Sequence, residues 1–363
     1  MTDCLIVGGG LIGMLTAKEL QSAGMAVALI EQSNTGRESS WAGGGIVSPL
    51  YPWRYDASIT ALAKWSQDYY PRLADMLIKE GSVDPEYARN GLLILEPTDT
   101  DAAIHWSKEF KEPLQVIDQQ SALECEPTMQ TDATEAVWMA EVAQIRNPRL
   151  TKSLYQSIFK KTAIHQRTKA TELLIKNGRI QGIKSENGFF HADNVLICAG
   201  AWAGKLLQGL ASPPSIEPVL GQMIIFRHHP SSISRIVLHN DHYIIPRREG
   251  RVLVESTLEY RGFNKTTTEQ AKQELKQFSL TLFPPLEKAN IEHHWAGLRL
   301  GSPNGIPYIG SIPEITGLFI NAGHFRNGVV LGPASSRLMA DIMLERPPVL
   351  PPSPYSLTAS REK

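Results

Sequence analysis

The sequence predicts an α/β fold in two domains, and three observations carry that expectation. Leu5-Ile6-Val7 is a short run of branched apolar residues that enters Gly8-Gly9-Gly10-Leu11-Ile12-Gly13 and continues as a helical pattern through Met14, Ala17 and Leu20. Ala26-Val27-Ala28-Leu29-Ile30 follows as an unbroken apolar run, the pattern of a parallel strand buried on both faces. Further along, Gly91-Leu92-Leu93-Ile94-Leu95, Gln222-Met223-Ile224-Ile225-Phe226, His242-Tyr243-Ile244-Ile245-Pro246 and Val252-Leu253-Val254 read as strands of a separate antiparallel or mixed sheet. A chain of 363 residues is long enough for two cores, since single cores stop growing at roughly 250 to 300 residues.

The first unit is expected to be of Rossmann type. Gly8, Gly10 and Gly13 satisfy G-x-G-x-x-G: the first glycine permits the tight turn, the second lets the backbone approach a pyrophosphate, and the third lets the helix pack on the strand. The free amides at the start of such a helix bind phosphate. Gly24 ends the helix, and Glu31 stands at the end of the next strand, where a carboxylate accepts hydrogen bonds from ribose hydroxyls. Residues 37–46 follow as Arg-Glu-Ser-Ser-Trp-Ala-Gly-Gly-Gly-Ile. Three successive glycines after two serines suit a loop lying against a flat ring and donating backbone hydrogen bonds to it.

The middle of the chain completes the outline. Residues 173–183, LLIKNGRIQGI, are two apolar runs joined by Asn177-Gly178, a two-residue hairpin signal because type I′ turns need positive φ at both central positions. A third strand is expected at Asn194-Val195-Leu196-Ile197-Cys198, with Cys198 a buried strand residue rather than a reactive thiol. Thr267 and Gln270 have capping-box spacing, which predicts a helix reaching about Phe278. The proline-rich stretch 347–354 reads as a surface tail, and the sequence carries no internal repeat. These pieces divide the chain into a discontinuous nucleotide-binding domain (1–75, 141–215 and 295–363) and a substrate domain of α+β type (76–140 and 216–294).

Composition excludes several function classes. With 36 basic and 37 acidic residues the formal net charge is −1, so no overall field attracts nucleic acid or an anionic membrane. Cys4, Cys125 and Cys198 are far apart and odd in number, which suits a reducing compartment without disulfides. No histidine or cysteine spacing suggests a metal. The N-terminal segment lacks the pattern of a signal peptide, and no apolar run reaches the roughly 18 residues that a membrane span needs. A cytoplasmic protein is expected.

Residues 38–55, ESSWAGGGIVSPLYPWRY, closely resemble the flavin loop of bacterial glycine oxidases of the thiamine-biosynthesis type, within the D-amino acid oxidase superfamily. The "CAGAW" of residues 198–202, residues 296–310 (AGLRLGSPNGIPYIG) and residues 321–343 (NAGHFRNGVVLGPASSRLMADIM) resemble the same group, so the similarity spans nearly the whole chain. The resemblance implies a Rossmann-type FAD-binding domain beside a substrate domain with a large sheet, and non-covalent FAD, because no cysteine follows Cys198 to tether the flavin. It implies that Ser39 and Ser40 contact the phosphates or ribityl chain, that Gly44, Gly45 and Ile46 lie beside the isoalloxazine, and that Leu11, Ile12, Glu31 and Gln32 serve the adenosine half. Ala170 falls near the adenine by the same comparison. A homotetramer, a small amino acid or amine as substrate and O2 as electron acceptor are also implied.

The chemistry asks for particular residues. Oxidising an amino acid requires its α-carbon to be held against the flavin, and the carboxylate is the handle for that positioning. Arg299 offers a guanidinium fork for it. Tyr243 adds a phenol, and Arg326 completes the pocket. Residues 324–330, His324, Phe325, Arg326, Asn327, Gly328, Val329 and Val330, form the expected cofactor loop. They precede a helical pattern through Leu331, Ser335, Leu338 and Ile342, whose positive N-terminal end favours an anionic reduced flavin. Glu255 stands where the resembled family commonly has glycine; pointing inward, it would repel a substrate carboxylate or recruit an amine. Two alternatives stay open at this point: a dehydrogenase passing electrons to a quinone or protein, and a flavoprotein that modifies a macromolecule.

Overall fold

The computed structural model describes residues 2–227 and 233–361. Within them the strands form sheets of six, eight, three and two strands. The six-stranded sheet runs in the order Tyr308–Ser311, Leu318–Ala322, Asn194–Ile197, Cys4–Val7, Val27–Ile30, Ala163–His165. Its neighbours are parallel except for the pair Tyr308–Ser311 and Leu318–Ala322, which is antiparallel. Alternation along its strands explains its two covers. Cys4, Ile6, Leu29 and Leu196 face a core shared with the helices Leu11–Ser22, Ala57–Lys79, Asn147–Ile158 and Gly328–Met343. Leu5, Val7, Ala28, Val195 and Ile197 face the opposite core.

That second core is covered by a three-stranded meander, Ala170–Lys176, Arg179–Ser185 and Gly188–His191. Its first turn is the expected one, with Asn177 at φ 53° and Gly178 at φ 70°. The third strand differs from the sequence reading: Gly188–His191 closes the meander, while Asn194–Ile197 returns to pair in parallel with Cys4–Val7.

The eight-stranded sheet has the order Asn290–Gly301, Glu217–Arg227, Arg251–Glu255, His242–Pro246, Ile236–His239, Leu92–Leu95, Glu135–Met139, Gln115–Asp118. It is mixed, because Ile236–His239 and Leu92–Leu95 pair in parallel while the other pairs are antiparallel. One face buries Ile224, Phe226, Val252 and Val254 beneath the helix Glu269–Leu282. The other carries Met223, Ile245 and Leu253 towards Ala42, Ile46 and Tyr51.

Two of the expected domain boundaries fall inside continuous elements. The helix Ala57–Lys79 spans position 75, and the strand Asn290–Gly301 spans position 295. The capping box also resolves differently. The cap of Glu269–Leu282 is Thr268, whose hydroxyl accepts from the Ala271 amide, so Gln270 lies one position short of the box geometry. After the last helix the tail prolines are largely exposed, and the segment is pinned by buried Tyr355, whose hydroxyl donates to the Ser58 carbonyl at 2.8 Å. No helix among the described residues is long and apolar enough to cross a membrane.

Candidate active site

A single cleft is lined by the carboxyl ends of the parallel strands, the 39–46 loop, the 324–329 loop and the inner face of the eight-stranded sheet. This is where open α/β sheets place ligands. Of the residues singled out in the sequence, Gly13 and Val330 do not line it. A Cβ at Gly13 would overlap the Gly8 carbonyl, so this glycine lets the helix sit on the turn. The helix begins at Gly328, and Val330 turns into the core beneath it.

At one end of the cleft, Gly8 adopts φ 114°, and a Cβ there would stand 2.6 Å from the Cys198 carbonyl carbon of the adjacent strand. Glu31 holds the turn from the side: one oxygen accepts from the Gly9 amide at 2.8 Å, the other from the Ser33 amide at 2.8 Å. Gln32 and Ala170 line the cleft beside it. Ser40 Oγ accepts from the Leu11 amide at 2.8 Å, which leaves its hydroxyl proton free for a ligand at the helix start. Ser39 donates to the Leu298 carbonyl and thereby ties the short helix Ser39–Ala42 to the strand that carries Arg299. Gly44 and Gly45 then expose backbone to the cleft. Gly45, at φ 75°, packs against Ile145 and Asn147 so closely that a side chain there has no room.

The 324–329 loop supplies the opposite wall. His324 is buried, and burial pushes its pKa down to about 3, so it is neutral at ordinary pH. Ser335 Oγ already donates to the Leu331 carbonyl at 2.7 Å, so its 3.0 Å contact with His324 Nε2 requires the proton on Nε2. His324 Nδ1 is therefore an acceptor, and it has no partner among the described residues. Phe325 takes the left-handed conformation at φ 46°, and its neighbour Arg326 lines the cleft. Gly328 and Val329 bring the first turn of the helix Gly328–Met343, with its free amides, to the same wall.

The sheet closes the remaining side. Arg299 Nη1 donates to the Thr257 carbonyl at 3.1 Å, and Nη2 donates to Ser256 Oγ. Burial lowers the Arg299 pKa to about 10, opposed by Glu255, which keeps the guanidinium charged at neutral pH. Gly221 makes room for that guanidinium, since a Cβ there would overlap it. Tyr243 and Glu255 are directly paired across neighbouring strands, so both side chains point into the cleft. Burial pushes the Tyr243 phenol well above its usual pKa. Glu255 points inward, with Oε1 3.8 Å from Arg299 Nη2.

Four buried side chains that line the cleft carry polar atoms without a hydrogen-bond partner among the described residues: both amide atoms of Asn147, Asn321 Oδ1, Asn327 Nδ2 and His324 Nδ1. Such atoms are costly unless a ligand satisfies them. Together with the phosphate-ready helix start and the bare glycine backbone, they fit a long polar cofactor with a ring at one end. Asn147 and Asn321 escape a reading of the sequence, because an asparagine before proline reads as a helix start and one ending a strand reads as a cap. Cys198 reaches the cleft but is buried, which pushes its thiol far above the ordinary range. Among the described residues no group of three or more His, Cys, Asp and Glu side chains is placed to hold a metal.

Residues 3–342 match the family described as FAD dependent oxidoreductase. The chain belongs to that family. It is 45% identical over 354 residues to a glycine oxidase of Pseudomonas aeruginosa, covering 97% of each chain. It is 44% identical to a glycine oxidase of Pseudomonas putida, again with 97% of each chain covered. Among solved structures, glycine oxidase from Geobacillus kaustophilus superposes with a TM-score of 0.93 at 27% identity, covering 98% of both chains. The cofactor is FAD, and the protein is an FAD-dependent oxidoreductase.

Proposed function

We propose that this enzyme oxidises glycine, or a small amino acid close to it, to the imine, with O2 reduced to H2O2 and the imine hydrolysed to an oxo acid and ammonia. The observation that carries the reading is the convergence of Arg299, Arg326 and Tyr243 on the wall of the cleft that also holds the 39–46 glycine loop. Bound without a covalent link, FAD supplies the acceptor for the two electrons that leave the substrate and delivers them to O2. The protein binds and orients. Gly8, Gly10, Leu11, Ile12, Ser39 and Ser40 hold the pyrophosphate side, Glu31, Gln32 and Ala170 the adenosine side, and Gly44 to Ile46 with the 324–329 loop the ring side.

Arg299 is suited to the carboxylate because backbone acceptors fix its fork before any substrate arrives. Tyr243 stays protonated and so donates. His324, neutral and buried, has no proton to offer on its free nitrogen. The reading assigns 1–75, 141–215 and 295–363 to FAD and 76–140 and 216–294 to substrate. It extends to a cytoplasmic homotetramer serving thiamine biosynthesis, which is supported by the likeness to glycine oxidases.

Aerobic turnover tests this. The purified yellow protein is expected to consume glycine and O2 and release H2O2, glyoxylate and ammonia in equal amounts. No peroxide with glycine, sarcosine, D-alanine or D-proline would overturn it.

A further inference from the structure

Glu255 is the feature that the functional reading leaves unexplained. Its side chain is 16% exposed and that of Arg299 is 12% exposed, so both charges sit largely out of water on one wall of the cleft. Their closest approach is 3.8 Å, an ion pair without a hydrogen bond: Arg299 directs three of its Nη protons to Leu220, Thr257 and Ser256, which leaves one on Nη2 for a substrate carboxylate. Another nearby cation, Arg247, is likewise committed, to the Gln144 side chain at 2.5 Å and the Gly44 carbonyl at 2.6 Å. Among the described residues no donor hydrogen-bonds the Glu255 carboxylate. A side chain at Gly44 would strike it, which places the carboxylate against the glycine loop.

A carboxylate this buried needs hydrogen bonds beyond a distant counter-charge. Because the carboxylate faces the cleft, a ligand bound there can supply the missing donor. A glycine zwitterion offers one: its nitrogen and carboxylate oxygens are roughly 3 Å apart by ordinary bond geometry, close to the spacing of Glu255 from Arg299. The two residues therefore form a receptor complementary to a zwitterion, with Arg299 taking the carboxylate and Glu255 the amino group.

Resting on the proposed amino-acid oxidation, we infer that Glu255 is a specificity-determining residue that accepts a hydrogen bond from the substrate's amino group and rejects substrates carrying a second negative charge near the nitrogen. The class admitted is small amino acids with neutral substituents on nitrogen or α-carbon. The class refused includes iminodiacetate, which is glycine with a carboxymethyl group on its nitrogen.

The test compares wild type, E255Q and E255G holoenzymes with glycine and iminodiacetate. In both variants KM for glycine is expected to rise, since the charged acceptor is lost, while KM for iminodiacetate falls, since the repulsion is lost. The glycine-to-iminodiacetate ratio of kcat/KM should drop at least about a hundredfold, tenfold from each side. A structural role for Glu255 would instead lower kcat/KM for both substrates together, and a ratio unchanged within error overturns the inference. A second readout needs no turnover: perturbation of the bound-flavin absorbance by malonate, which has two carboxylates, and by glycolate, which has one and no amine. E255Q is expected to tighten malonate by about tenfold more than glycolate, and equal changes overturn the inference. If wild type turns over neither amino acid, the functional reading fails, and this titration still decides the role of Glu255.

Discussion

Replacing Gly10 by alanine separates the cofactor's requirements from those of the fold. Gly10 has extended backbone, φ −77° and ψ −174°, which alanine adopts without strain. Among the described residues beyond its chain neighbours, the one atom that a Cβ there would meet within 4 Å is Ser40 Oγ, at 3.1 Å. The apoprotein should therefore keep its stability to within about 1 kcal/mol. The cleft is different, since the added methyl stands where backbone has to approach a pyrophosphate. Overpacking of this kind costs about 1–3 kcal/mol, which weakens FAD binding roughly 5- to 150-fold.

Gly8→Ala is the control. It must hold alanine at φ 114° with the Cβ 2.6 Å from the Cys198 carbonyl carbon, so about 2–5 kcal/mol of apoprotein stability should be lost from left-handed strain and backbone overlap together. Urea denaturation of the apoproteins and fluorescence titration with FAD read the two effects separately. Gly10→Ala binding FAD as wild type does, or losing as much apoprotein stability as Gly8→Ala, would refute the reasoning.

Three further outcomes are expected. Arg299→Lys gives up the planar fork that reaches Thr257 and Ser256, and KM for glycine should rise about 30- to 150-fold with FAD affinity unchanged, as steady-state kinetics and flavin titration will show. His324 is neutral in the fold down to pH about 3, whereas in the unfolded chain it gains a proton below about pH 6.5; its contribution is therefore unchanged above that pH and becomes destabilising as the pH falls. His324→Gln should lose about 2 kcal/mol less stability than wild type between pH 7.5 and pH 5, measured by urea denaturation of the apoproteins. Asp341, fully buried, pairs with Arg337 at 3.0 Å and with Arg346, and accepts from the Val349 amide at 3.1 Å. Because both arginines are about a third exposed, Asp341→Asn should cost about 2 kcal/mol rather than the full price of a buried pair, and should speed proteolysis of the C-terminal tail.

The parts of this structure that were legible in the sequence are those where local geometry leaves one solution. Gly8 and Gly13 announce a strand, turn and helix because the local backbone restricts which residue fits there. Asn177-Gly178 announces its hairpin for the same reason, and residues 26–30 read as a buried strand because apolar residues occupy both faces. Where two solutions look alike, the sequence misleads. Thr267 and Thr268 are equal candidates for a cap, and the tertiary bond that the Thr268 amide donates to Gln222 Oε1 at 2.8 Å helps to fix Thr268 in that place. Val330 is apolar at a loop-to-helix junction, which is compatible with facing either the ring or the core. Gly188–His191 pairs as a strand although Phe189 is 63% exposed, so apolar periodicity does not reveal it. Asn147 illustrates the deeper limit: that its amide lacks a partner among the described residues is a property of packing, visible once strands, glycine loop and helix start have been brought together.

The central claim is that this cleft delivers electrons from a small amino acid to O2, and one anaerobic mixing experiment tests it directly. Glycine added to the oxidised holoenzyme without oxygen should bleach the flavin absorbance, and admitting air should restore it rapidly with formation of peroxide. Absorbance that stays unbleached with glycine, sarcosine, D-alanine and D-proline would contradict the substrate class, and bleaching that persists in air would contradict the oxidase.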